Sequence, residues 1–103
     1  MSYELIKAIL DELGIVYTYY EFKEPVSAAR YIAYYENGKD TFLADDKVYT
    51  YEPRFTIELY TKVKEPAVEQ QLIDILASHD VAWSADPTTY IDSEKVYLTV
   101  FYV

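Results

Sequence analysis

One histidine, eighteen carboxylates and thirteen tyrosines are the groups in this chain whose chemistry could serve a reaction. His79 has no serine, cysteine or acid at motif spacing around it, so no nucleophile and base pairing is written here. It falls near the C-terminal end of a predicted helix, where the dipole favours an imidazolium and a capping or partly buried histidine is the expected role. Metal binding has no firmer basis. One histidine and no cysteine leave only hard oxygen ligands. Asp45-Asp46, with Asp40 upstream, lacks the alternating acids, central glycine and terminal glutamate of a calcium loop, so a solvated turn is expected.

Paired carboxylates for glycoside chemistry need set positions across a cleft, and eighteen acids supply chance pairs everywhere. Gly14 and Gly38, the two glycines, stand too far apart to build a P-loop or a dinucleotide fingerprint. No catalytic, cofactor-binding or metal-binding residue is therefore assigned. No cofactor is expected, and the chain reads as a non-enzyme.

The absence of cysteine also excludes a disulfide framework and iron–sulfur clusters, and points to synthesis inside a cell. The opening residues, Met1 to Lys7, carry an acid early and only a short apolar stretch, unlike a signal peptide. No run approaches the roughly 20 apolar residues that span a bilayer. A soluble protein with no membrane partner is expected. Eighteen acids against nine bases give a formal charge of −9, which repels phosphate and removes the attraction behind most nucleic-acid binding.

The tyrosines serve structure first. They sit in alternating runs such as Val16-Tyr17-Thr18-Tyr19-Tyr20 and Tyr31-Ile32-Ala33-Tyr34-Tyr35. Aromatic and β-branched residues suit a pleated, half-buried surface, so these runs predict strands. Tyrosine is also enriched at protein interfaces. A subset is expected to pack against a neighbouring subunit, because helices on one face of a small sheet leave the other face partly bare.

The elements that carry these residues follow from periodicity. Leu5, Ile6, Ile9, Leu10 and Leu13 mark one face of a helix that Ser2 is placed to cap and Gly14 to stop. Strands are predicted over 15–22 and 28–36, separated at Glu24-Pro25. Asn37-Gly38 predicts a tight hairpin turn. A short strand over 42–44 follows, then a polar corner at Asp45-Asp46. Alternation returns over 47–62, with Pro53 suggesting a break, an edge or a bulge and so two segments.

Lys64-Glu65-Pro66 opens a second helix, with Glu65 and Glu69 at its positive end and a buried stripe of Val68, Leu72, Ile75, Leu76 and His79. Strands over 81–84 and 95–103, joined through a turn at Asp86-Pro87, complete the pattern. Residues 8–18 and 74–84 echo one another at a fixed offset, each running helix, tight exit, aromatic strand. The expected architecture is one domain over residues 1–103, α+β. Two helices pack on one face of a mainly antiparallel β-sheet in the order α-β-β-β-β-α-β-β.

Several segments resemble a known group. Phe55-Thr56-Ile57-Glu58-Leu59-Tyr60-Thr61-Lys62 leads into Glu65-Pro66-Ala67-Val68-Glu69 and an amphipathic helix. Ala44-Asp45-Asp46-Lys47-Val48-Tyr49 stands before it, and Tyr90-Ile91-Asp92-Ser93-Glu94-Lys95-Val96-Tyr97 lies close to the end. Together with the opening helix, Gly14 and a tyrosine strand, these resemble the small tail-terminator, tail-completion or head–tail joining proteins of long-tailed bacteriophages and prophages.

The resemblance implies a non-enzymatic virion protein that assembles with itself as a ring oligomer, typically a hexamer, at the head-proximal end of the tail tube. Its partners would be the tail-tube protein and a head-completion or connector protein. DNA would pass without being specifically bound, consistent with acidic walls. The expected location is the host bacterial cytoplasm during assembly and then the virion tail. The connections at residues 24–29 and 37–46 are the expected contact loops. The competing expectation is a small bacterial adaptor or regulatory domain that binds a basic protein partner through its acidic, tyrosine-rich surface.

Overall fold

The computed structural model describes residues 1–103, the side chain of Tyr49 excepted. Helix α1 spans Tyr3–Leu13, and its start and stop are locally encoded. The Ser2 hydroxyl oxygen accepts from the Leu5 amide at 3.1 Å. Gly14 closes the helix in the left-handed region at φ 77, where a Cβ would be strained. Helix α2 spans Pro66–Ser78, with proline in the first turn, where a missing N–H costs nothing. Asp80 redirects the chain after α2 at φ 57, the same conformation as Gly14 at the equivalent point of the internal echo.

Six strands form one mixed sheet. They are β1 (Tyr17–Tyr19), β2 (Arg30–Ala44), β3 (Lys47–Thr61), β4 (Ser84–Ala85), β5 (Thr89–Ile91) and β6 (Val96–Tyr102). The path runs β1-β2-β3-β6-β4, with β5 also pairing β6. Only β1 and β2 are parallel; every other pairing is antiparallel. The class is α+β, as the periodicities predict.

Strand alternation sorts the two faces. Ile32 and Tyr34 of β2, Phe55, Ile57 and Leu59 of β3, and Phe101 of β6 point to one side. Ile6, Ile9 and Leu10 of α1 and Val68, Leu72 and Leu76 of α2 cover them in a single buried cluster. At about 25 cal/mol per Å² of apolar surface, this layer carries most of the folding free energy. Both helices therefore lie on one face.

The strand pattern departs from expectation in one consequential place. Asn37-Gly38 does not turn the chain. It lies within β2, where the register shifts between Glu36 and Lys39, and Gly38 takes φ 89. The hairpin turn is instead Asp45-Asp46, at φ 53 and 61. Two consecutive left-handed residues suit a two-residue hairpin, and aspartate tolerates that conformation. Asn-Gly satisfies a bulge equally well.

The polar corner expected at Asp45-Asp46 is thus the reversal itself. β3 runs unbroken past Pro53, which faces Lys39 beside the bulge, so the bulge accommodates it rather than a break. Elsewhere β1 is shorter than the 15–22 pattern because Tyr20 turns left-handed at φ 73. β5 adds a short strand around Tyr90.

Candidate assembly surface

β2 and β3 are long strands, but their neighbours are not. β1 pairs β2 only at 32–34, and β6 pairs β3 only at 56–61. Beyond these limits residues 37–54 form a two-stranded arm with no further strand on either edge. The molecule measures 51 × 28 × 23 Å and its radius of gyration is 15.0 Å. A compact domain of this length would give about 13 Å. The arm accounts for the excess.

Register places Thr41, Leu43, Val48 and Tyr51 on one side of the arm, and Asp40, Phe42, Lys47, Thr50 and Glu52 on the other. Four large apolar side chains lie open: Phe42 is 51%, Leu43 66%, Val48 60% and Tyr51 55% exposed. No helix covers either side. A two-stranded hairpin alone in water is marginally stable, and free edges invite a further strand.

The base of the arm is held to the body by polar contacts. The Tyr3 hydroxyl of α1 donates to the Glu36 carboxylate at 3.2 Å and lies 3.2 Å from the Tyr19 hydroxyl. Glu36 pairs with Lys39 at 2.6 Å, and the Lys39 ammonium sits 5.9 Å above the Tyr51 ring. The hydrogen bond from Lys39 holds the Glu36 carboxyl below the usual carboxylate range. Arg54 reaches Asp40 at 3.3 Å, and the Met1 nitrogen donates to the Pro53 carbonyl at 2.9 Å. The arm is anchored at its root and uncovered along its length.

The other sequence candidates disperse. His79 caps α2 through its amide, and its Nε2 lies 3.0 Å from Glu12 of α1, joining the helix ends. Asp40 stands at the root of the arm, while Asp45 and Asp46 form its tip. No group of three or more His, Asp or Glu placed to hold a metal occurs among the described residues. No helix among them is long and apolar enough to cross a membrane. Residues 37–46, an expected contact loop, are one strand of the arm and its turn. Residues 24–29, the other, fold back along the sheet face opposite the helices, where Lys62 Nζ donates to the Ser27 carbonyl at 3.1 Å.

The tyrosines also sort by place. Tyr34 is buried under the helices, whereas Tyr17, Tyr31, Tyr35, Tyr60 and Tyr97 are half-buried. Tyr3, Tyr19, Tyr20, Tyr51, Tyr90 and Tyr102 are exposed. Sequence reasoning missed the apolar arm residues as a surface. The signal was present in the alternation on either side of Asp45-Asp46, masked by the stronger turn signature at Asn37-Gly38. Comparison with protein-family models and with curated proteins finds no match, so shape, exposure and charge carry the functional reading.

Proposed function

We propose that the chain is a non-enzymatic phage or prophage virion protein, a tail terminator or head–tail joining subunit. It closes into a ring, typically hexameric, at the head-proximal end of the tail tube. The uncovered apolar arm is the observation that carries this reading. A ring built head to tail needs two different patches on each subunit, one projecting and one receiving, and closes when the rotation between them closes. The arm supplies the projecting patch. Covering its half-exposed Phe42, Leu43, Val48 and Tyr51 would contribute about 1 kcal/mol each, and its free edges can extend a neighbour's sheet.

The formal charge of −9 supports the same reading. A conduit for DNA works best when its walls do not hold the polymer, and like charge achieves this. The partners are further copies of the chain, the tail-tube protein below and a head-completion or connector protein above. Assembly takes place in the host bacterial cytoplasm and the product resides in the virion tail. Purified protein added to tails and heads from a terminator-deficient phage should restore joining in matched hosts. Failure across those hosts removes the proposal.

A further inference from the structure

The sheet face opposite the helices holds an open cavity. Tyr20, left-handed at φ 73, turns the chain out of β1, and its amide donates to the Tyr34 carbonyl at 2.7 Å. The following residues cross the open face and border a solvent-open cleft of about 420 Å³ against β2 and β3. Tyr31 and Tyr60 form one wall, stacked with ring centroids 4.9 Å apart and planes 9° from parallel. Phe22 meets Tyr31 edge-on at 5.8 Å. Glu58 and Glu94 also line the space.

Glu58 accepts from the Tyr60 hydroxyl at 3.2 Å. Neither Glu58 nor Glu94 forms an ion pair with any cation among the described residues. Lys23 also borders the cavity, exposed and unpaired with either acid. Burial raises the pKa of Glu58, and burial followed by the neighbouring carboxylates raises that of Tyr60. A half-buried carboxylate with no countercharge works against folding.

We propose that this cavity binds an arginine side chain presented by a basic segment of a partner protein. The guanidinium pairs with Glu58 and Glu94 and lies beside the stacked Tyr31–Tyr60 pair, on the ring surface that the stack leaves open. Tyrosine faces attract a planar cation, and a carboxylate accepts its paired N–H groups. Arginine suits the site better than lysine because a flat, weakly hydrated guanidinium can stack and bond together. Glu58 and Glu94 belong to no group of three or more acidic or histidine side chains placed to hold a metal ion among the described residues. The net negative charge draws basic segments toward the surface. The site does not depend on ring assembly.

An NMR titration of the full chain tests this, with N-acetylarginine amide as the probe and N-acetylcitrulline amide as its neutral isostere. Arginine should give saturable shifts at Phe22, Ala33 and Tyr60, and citrulline should bind at least about tenfold more weakly. In Glu58→Gln, which keeps the shape and the acceptor for Tyr60, arginine affinity should fall about tenfold. Lys23→Met should bind arginine no more weakly than the native chain. Equal binding of the two probes, absence of saturable shifts at these residues, or unchanged arginine affinity in a folded Glu58→Gln would each overturn the proposal.

Discussion

Glu58 shows how a single residue can serve a surface at the expense of the fold. It projects from the C-terminal part of β3 on the face away from the helices, and burial raises its pKa above the ordinary 4.5. The native state therefore favours the protonated acid, and stability falls as pH rises through that raised pKa. Glu58→Gln should stabilise the protein at pH 7 by about 0.5 kcal/mol, a figure discounted for a half-exposed charge. The gain should vanish below pH 4 in thermal melts run across pH.

Gly38 is the opposite case, a position the fold requires. A Cβ there meets the Arg54 guanidinium at 3.1 Å, and φ 89 strains any side chain. Gly38→Ala should cost about 1–2 kcal/mol in urea unfolding. Residues of this kind are partly legible in sequence. Ser2, Gly14 and Pro66 were readable because each acts on its own turn of helix. Asn37-Gly38 was misread because positive φ serves a hairpin turn and a bulge alike, and only the pairing of 39–44 with 47–53 decides between them.

At the scale of elements, the arm and the layered core obey different rules. The core is held by the buried cluster that α1, α2 and the central strands share. The arm contributes nothing to that cluster. Leu43→Ser with Val48→Thr should thus leave thermal stability within about 0.5 kcal/mol of native, while weakening self-association more than tenfold in sedimentation measurements. A loss of stability matching the loss of association would show that the arm packs on its own body.

The root of the arm should respond to acid. Glu36 has a lowered pKa through Lys39, so its contribution is complete above the ordinary value of 4.5 and is lost as pH falls through the lowered one. Hydrogen-exchange protection at Lys39 and Asp40, measured against the intrinsic rate at each pH, should fall in that range and hold constant above pH 6. The helices were legible from their apolar period and caps. The arm was half legible: alternation marked its strands, but nothing local states that a strand outruns its neighbours. β5, Thr89–Ile91, escaped because three residues are too few for a period to register.

The whole molecule is a helix-covered sheet with a projecting hairpin and a formal charge of −9. The projecting hairpin and the acidic charge are the two features on which the proposed ring subunit rests. Composition revealed the charge at once; the unequal strand lengths that make the arm emerge only from the pairing of distant segments. The most direct test is native mass spectrometry of the intact chain, alone and with tail tubes, beside a variant in which residues 39–52 are replaced by a two-residue turn. The intact chain should form a closed ring, alone or on the tube, and the shortened chain should stay a folded monomer. Intact and shortened chains that both remain monomers under both conditions would contradict the account.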